Sequence, residues 1–83
     1  MKKIKLINQN NKEVECDVLI EFEYYDNDYI VYTDNTLTKE GEIILYRGMI
    51  ENDKVVDPKD IDVFFIFDKL ITDYKNKVLR GEI

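Results

Sequence analysis

Cys16 is the only thiol in this 83-residue chain, and the chain contains neither histidine nor serine. A cysteine without an imidazole lacks the base that usually activates it, and an acyl-transfer triad cannot be assembled at all. The carboxylates are the other candidates for chemistry. Glu15, Asp17, Glu21 and Glu23 recur at even spacing along one segment, and paired carboxylates are the working parts of glycosidases. On a period-two strand, however, they form a solvated face that implies no pocket. Their spacing of about 6.6 to 6.8 Å also imitates a row of phosphates, although Leu19 interrupts it.

Metal and nucleotide chemistry find little support. One cysteine and no histidine exclude the usual zinc sites. Asp26-Asn27-Asp28 is too short for a calcium loop because Tyr29 restarts a strand at once, and Asp34 to Glu42 lacks the required intervals. The only glycines are Gly41, Gly48 and Gly81, so no phosphate-binding loop is present. Tyr24, Tyr25, Tyr29, Tyr32 and Tyr46 have rings on which bases stack. They lie in or beside the most acidic stretch of the chain, whereas stacking platforms need a basic groove. No cofactor, no metal and no nucleic acid is expected.

Composition narrows the class further. The apolar fraction of 45% suits a single folded domain over residues 1–83. The net charge of −6 repels anionic phosphates and lipids. No basic residue occurs between Lys12 and Lys39, while lysines cluster at both ends, a layout that favours pairing inside the protein. A small domain with one cysteine forms no internal disulfide, which points to a reducing compartment. The start of the chain lacks the apolar core of a signal peptide, and the longest apolar run, Val63 to Phe67, is too short to span a bilayer. The expectation is a soluble cytoplasmic protein with no membrane contact.

The elements that must position these residues follow from periodicity. Lys3 to Asn8 reads as a strand and Gln9 to Lys12 as a turn. From Val14 to Tyr25 the alternation predicts one long strand, with Val14, Cys16, Val18, Ile20, Phe22 and Tyr24 inward. Matching the apolar faces predicts that Leu6 opposes Cys16 and Ile4 opposes Val18. Asp26-Asn27-Asp28 is a turn, Tyr29 to Thr33 a strand, and Asn35 to Gly41 a loop. Glu42 to Ile50 forms the next strand, with Gly48 as a bulge or close-approach point. Glu51 to Asp53 turns into a last short strand, Lys54 to Val56. Asp57 then reads as the cap of a helix opening at Pro58 and closing at Gly81. Its stripe is Val63, Phe64, Phe67, Leu70, Ile71, Tyr74 and Val78. The predicted fold is α+β: an antiparallel β-meander of about five strands over residues 3–56, with one C-terminal helix, residues 58–80, packed on one face.

The run Phe22-Glu23-Tyr24, then Tyr29-Ile30-Val31-Tyr32-Thr33-Asp34-Asn35, then Ile44-Leu45-Tyr46 and a helix after Val55-Val56, resembles a YrzB-like family of small acidic bacterial proteins. The resemblance covers most of the chain. It implies a compact bacterial cytosolic domain and brings no catalytic residues with it.

Two functional expectations emerge. The first is a non-enzymatic protein-interaction module, pairing with itself or with another protein. Its candidate interface is Ile61, Phe65 and Leu79, which fall opposite the helix's main stripe. The second is an acidic nucleic-acid mimic presenting Glu15, Asp17, Glu21 and Glu23 to a partner's basic groove. High salt separates them, because a row of charges loses affinity steeply and an apolar contact does not.

Overall fold

The computed structural model describes residues 2–7 and 11–82. Asn8, Gln9 and Asn10, assigned above to a strand end and a turn, lie outside the described residues. Five strands pair in chain order: β1 (Lys2–Ile7), β2 (Glu13–Tyr24), β3 (Asn27–Thr33), β4 (Tyr46–Glu51) and β5 (Lys54–Val56). Every pairing is antiparallel. One helix, α1 (Ile61–Leu79), follows. The α+β meander with a C-terminal helix is as the periodicity predicts.

Turn chemistry sets the hairpins. Tyr24 pairs with Asn27, so the β2–β3 turn is Tyr25-Asp26, with φ of 48° and 63°. The β4–β5 turn is Asn52-Asp53, with φ of 52° and 63°. Two successive positive φ values match strand twist, and Asn and Asp tolerate them well. The first turn therefore falls one residue earlier than the Asp26-Asn27-Asp28 expectation.

The β1–β2 register differs from the predicted one by two residues. Ile4 opposes Cys16 and Leu6 opposes Val14, with Lys5 opposite Glu15 and Lys3 opposite Asp17. The apolar residues still share a face, as parity requires. The expected register would have set Lys3 against Leu19. The observed one sets both lysines against carboxylates, and opposite charges directly across strands stabilise the pairing.

The largest departure is in β2. Asp17 opposes Thr33 and Val18 opposes Tyr32, but Ile20 opposes Val31 and Phe22 opposes Tyr29. Leu19 is an extra residue, a β-bulge, and such an insertion exchanges the faces of everything beyond it. The predicted single inward row is thus two rows. Val14, Cys16 and Val18 share one face with Ile30 and Tyr32. Ile20, Phe22 and Tyr24 share the other with Tyr29 and Val31, and only this second face meets the helix.

On the helix side the core is Tyr29, Val31, Met49, Val63, Phe67 and Ile71. The Phe22 ring stacks on Tyr29 with centroids 5.2 Å apart and meets Phe67 edge-on at 5.0 Å. Such aromatic contacts add about 0.5 to 1.5 kcal/mol beyond area burial. On the outer face, Cys16, Val18 and Ile30 are only 3%, 6% and 3% exposed. A Cβ built on Gly48 would fall 2.6 Å from Val55 Cγ1 and 3.1 Å from Tyr32 Cε1. Gly48 is therefore the close-approach point that the sequence suggested, and the Tyr32 ring, stacked on Tyr46 at 5.5 Å, lies beside it.

The helix starts three residues later than expected. Asp60 is extended (φ −87°, ψ 120°), and its side chain accepts from the Asp62 N–H at 2.9 Å. Asp57 is not the cap. β5 is an edge strand, and residues 57–60, which join no helix or strand, connect that edge to a helix packed over the middle of the sheet. At the other end Gly81 (φ 74°) closes the helix. Its N–H reaches Val78 O and the Glu82 N–H reaches Lys77 O, the paired bonds of a Schellman motif.

Two stability outcomes follow. Asp60→Ala costs about 1 kcal/mol in a denaturant melt, whereas Asp57→Ala stays within about 0.5 kcal/mol; the reverse order contradicts the observed helix start. Gly48→Ala costs about 1 to 3 kcal/mol because β-branched Val55 cannot swing clear. A melt unchanged from native contradicts the contact.

Candidate interaction surfaces

The bulge decides where the acidic candidates point. Glu15 and Asp17 face the helix side of the sheet, and Glu21 and Glu23 face outward. The structure does not bring the four carboxylates onto one face. Lysines from β1 meet most of them: Lys2 with Glu21 at 2.6 Å, and Lys3 with Glu15 at 3.2 Å and Asp17 at 3.4 Å. Lys5 pairs with Glu13 at 3.3 Å. The internal pairing anticipated from the charge blocks is therefore present between β1 and β2. The Asn35 side-chain amide donates to Asp17, and with Lys3 it holds that carboxyl below its usual range. The acceptors Glu15 and Asp17 raise Lys3 in turn.

Cys16 is buried on the outer face, and burial, helped by Asp34 and Asp17, pushes its thiol up. A raised thiol pKa keeps sulfur protonated and unreactive. Desolvation also raises Tyr24 and Tyr32, the first with help from Tyr25, Asp62 and Asp60. Among the described residues no group of three or more metal-ligating side chains converges, and no helix is long and apolar enough to cross a membrane.

The interface candidates are at the surface: Ile61 is 76% exposed, Phe65 75% and Leu79 84%. Ile61 and Phe65 are one helical turn apart, with Phe64, itself partly exposed, beside them. Leu79 is not part of that ridge. It lies at the other end of α1, roughly 27 Å away at 1.5 Å per residue, with polar Asp68, Thr72 and Asn76 between.

Leu79 belongs instead to a groove that the sequence did not reveal. The helix sits tightly on the sheet at Val63, Phe67 and Ile71, but Tyr74 is only half-buried and Val78 is 46% exposed. The predicted strand from Glu42 begins only at Tyr46. The chain from Asp34 to Leu45 forms a small side hairpin, with Leu37 bridged to Ile43 and Thr38 N–H donating to Glu42 O at 2.7 Å. Between this hairpin, the bulge and the last helical turns lies a hollow of 460 Å³. Leu19, Leu45, Tyr74, Val78 and Leu79 supply its apolar lining, with Ile43 on the hairpin side. Lys75, Asp17, Glu42 and Asn35 mark its polar edge, and the wholly buried Thr33 hydroxyl accepts from the Asn35 N–H at 3.0 Å. One signal for this groove was legible: Leu19 is an apolar residue in a row of acids.

Compared with protein-family models, curated proteins and solved structures, the chain matches none of them. The surfaces themselves are what remain to indicate a function.

The buried sulfur gives a direct check. A thiol reagent added to the native protein modifies Cys16 only on the timescale of unfolding. Rapid stoichiometric labelling in plain buffer contradicts the outer-face packing around it.

Proposed function

We propose that the protein is a cytoplasmic protein-interaction module without catalytic activity, contacting itself or another protein through the outward side of its helix. The observation that carries this reading is the ridge of Ile61, Phe64 and Phe65 on the first two turns of α1, with Ile61 and Phe65 about three-quarters exposed. Single exposed apolar residues are ordinary. Ile61 with Phe64 and Phe65 at i+3 and i+4 is a cluster on neighbouring helical positions, and its outermost member, Phe65, is the kind of aromatic anchor that dominates interface energetics. The absence of histidine and serine from the sequence supports the non-catalytic part. So do the perturbed ionisations, which trace to ion pairs, hydrogen bonds and burial. The mimic reading loses its motive, because the carboxylates lie on opposite faces and three of the four are paired with lysines.

Phe65→Asp tests the reading. The side chain points away from the core, so the variant melts within about 0.5 kcal/mol of native. Tagged native protein retains partners from the source organism's lysate, or self-associates when pure, and the variant loses at least about tenfold of that binding. Equal retention by two equally stable proteins contradicts the proposal.

A further inference from the structure

We infer that copies of this chain associate head to tail, the Ile61–Phe65 ridge of one copy entering the groove beside Tyr74 and Val78 of the next. The inference rests on the reading of the helix as an interaction element and goes further by naming the occupant and its mode. Both halves of the contact are in the structure. The ridge projects an aromatic side chain with no cover of its own. The groove offers an apolar lining and a volume of 460 Å³, within the range of about 300 to 1,000 Å³ typical of sites that enclose a small ligand, and ample for a phenyl ring.

They also lie apart. Phe65 and Val78 are separated by roughly 20 Å along the helix axis, so one copy cannot satisfy its own groove, and a ridge leaves its own groove free for another copy.

Charge supports the same polarity. Asp60 and Asp62 flank the ridge, Lys75 lines the groove, and Lys77 lines the adjoining hollow on the other side of Tyr74. Among the described residues none of these four makes an ion pair. Asp17 in the groove is held by Lys3 and Asn35, which leaves Glu42 in the groove and Asp73 beside Lys77 as the acids at that end, against Lys75, Lys77 and Arg80 toward the end of the helix. A two-fold pairing of ridges would instead bring Asp60 and Asp62 of one copy against the same residues of the other, and like charges oppose that arrangement. A ridge meeting a groove elsewhere on the molecule is a heterologous contact, which grows into open chains unless the rotation closes a ring. The contact is small, so the association is weak and concentration-dependent.

Mixing two variants decides between these modes. Phe65→Asp removes the ridge, and Val78→Asp with Leu79→Asp blocks the groove at exposed positions. Circular-dichroism melts confirm that both remain folded. In sedimentation from 10 μM to 1 mM, the native protein is expected to rise in average mass past that of a dimer. Each variant alone stays monomeric, and a one-to-one mixture forms a species of twice the monomer mass that grows no further. Three results overturn the inference: a native protein monomeric throughout, a native mass that stops at a dimer, or a mixture that stays monomeric while native protein assembles. A monomeric native protein leaves the interaction-module reading standing, because capture of a different partner through Phe65 is measured separately.

Discussion

The twelve residues of β2 are shared between two neighbours, β1 pairing with Glu13–Val18 and β3 with Asp17–Tyr24. Against β3, β2 carries one residue too many. β1 holds the first half of the strand in register through Ile4–Cys16 and the lysine–carboxylate ladder, and β3 holds the second half through Phe22–Tyr29. Within the β2–β3 pairing the register before Leu19 differs by one from the register after it, and Leu19 is the extra residue. Because side chains alternate with period two, this single insertion turns the apolar row of the first half away from the helix and that of the second half toward it.

Much of the molecule follows from that exchange. The helix finds its partners in Phe22, Tyr29, Val31 and Met49, and it packs closely only across its first three turns. The opposite face keeps a smaller apolar layer of its own, in which Gly48 has no side chain because Val55 and the Tyr32 ring fill the space. Beside the bulge the sheet no longer follows the helix, so Tyr74 and Val78 face a side hairpin across a gap. The same bulge separates Glu15 and Asp17 from Glu21 and Glu23. A close fit at the helix's beginning and a gap at its end give the two unlike ends on which the proposed assembly depends.

The elements were legible in the sequence wherever local chemistry sets them. Alternation identified the long second strand, β-forming residues between turn signals marked the other four, the Asn-Asp pair placed the last turn, and Gly81 marked the end of the helix. The exposure of Ile61, Phe65 and Leu79 followed from helical angle alone. The bulge was not legible, because the apolar alternation from Val14 to Tyr24 is unbroken and register is a property of two strands rather than one. The helix start was misplaced because Asp57-Pro58 and Asp60 offer equivalent capping chemistry. The choice depends on how far the chain must travel from the sheet edge, which is a tertiary distance. The groove depends on where β4 begins. Glu42 to Leu45 has strand-like residues that the small hairpin at Thr38 to Gly41 diverts.

The face exchange at Leu19 is most directly measured by nuclear Overhauser contacts in the native protein. The account predicts contacts from the Val18 methyls to the Tyr32 ring and from the Phe22 ring to the Phe67 ring, with none between Val18 and Phe67. Val18 and Phe22 both in contact with Phe67, as an unbroken strand requires, would contradict it.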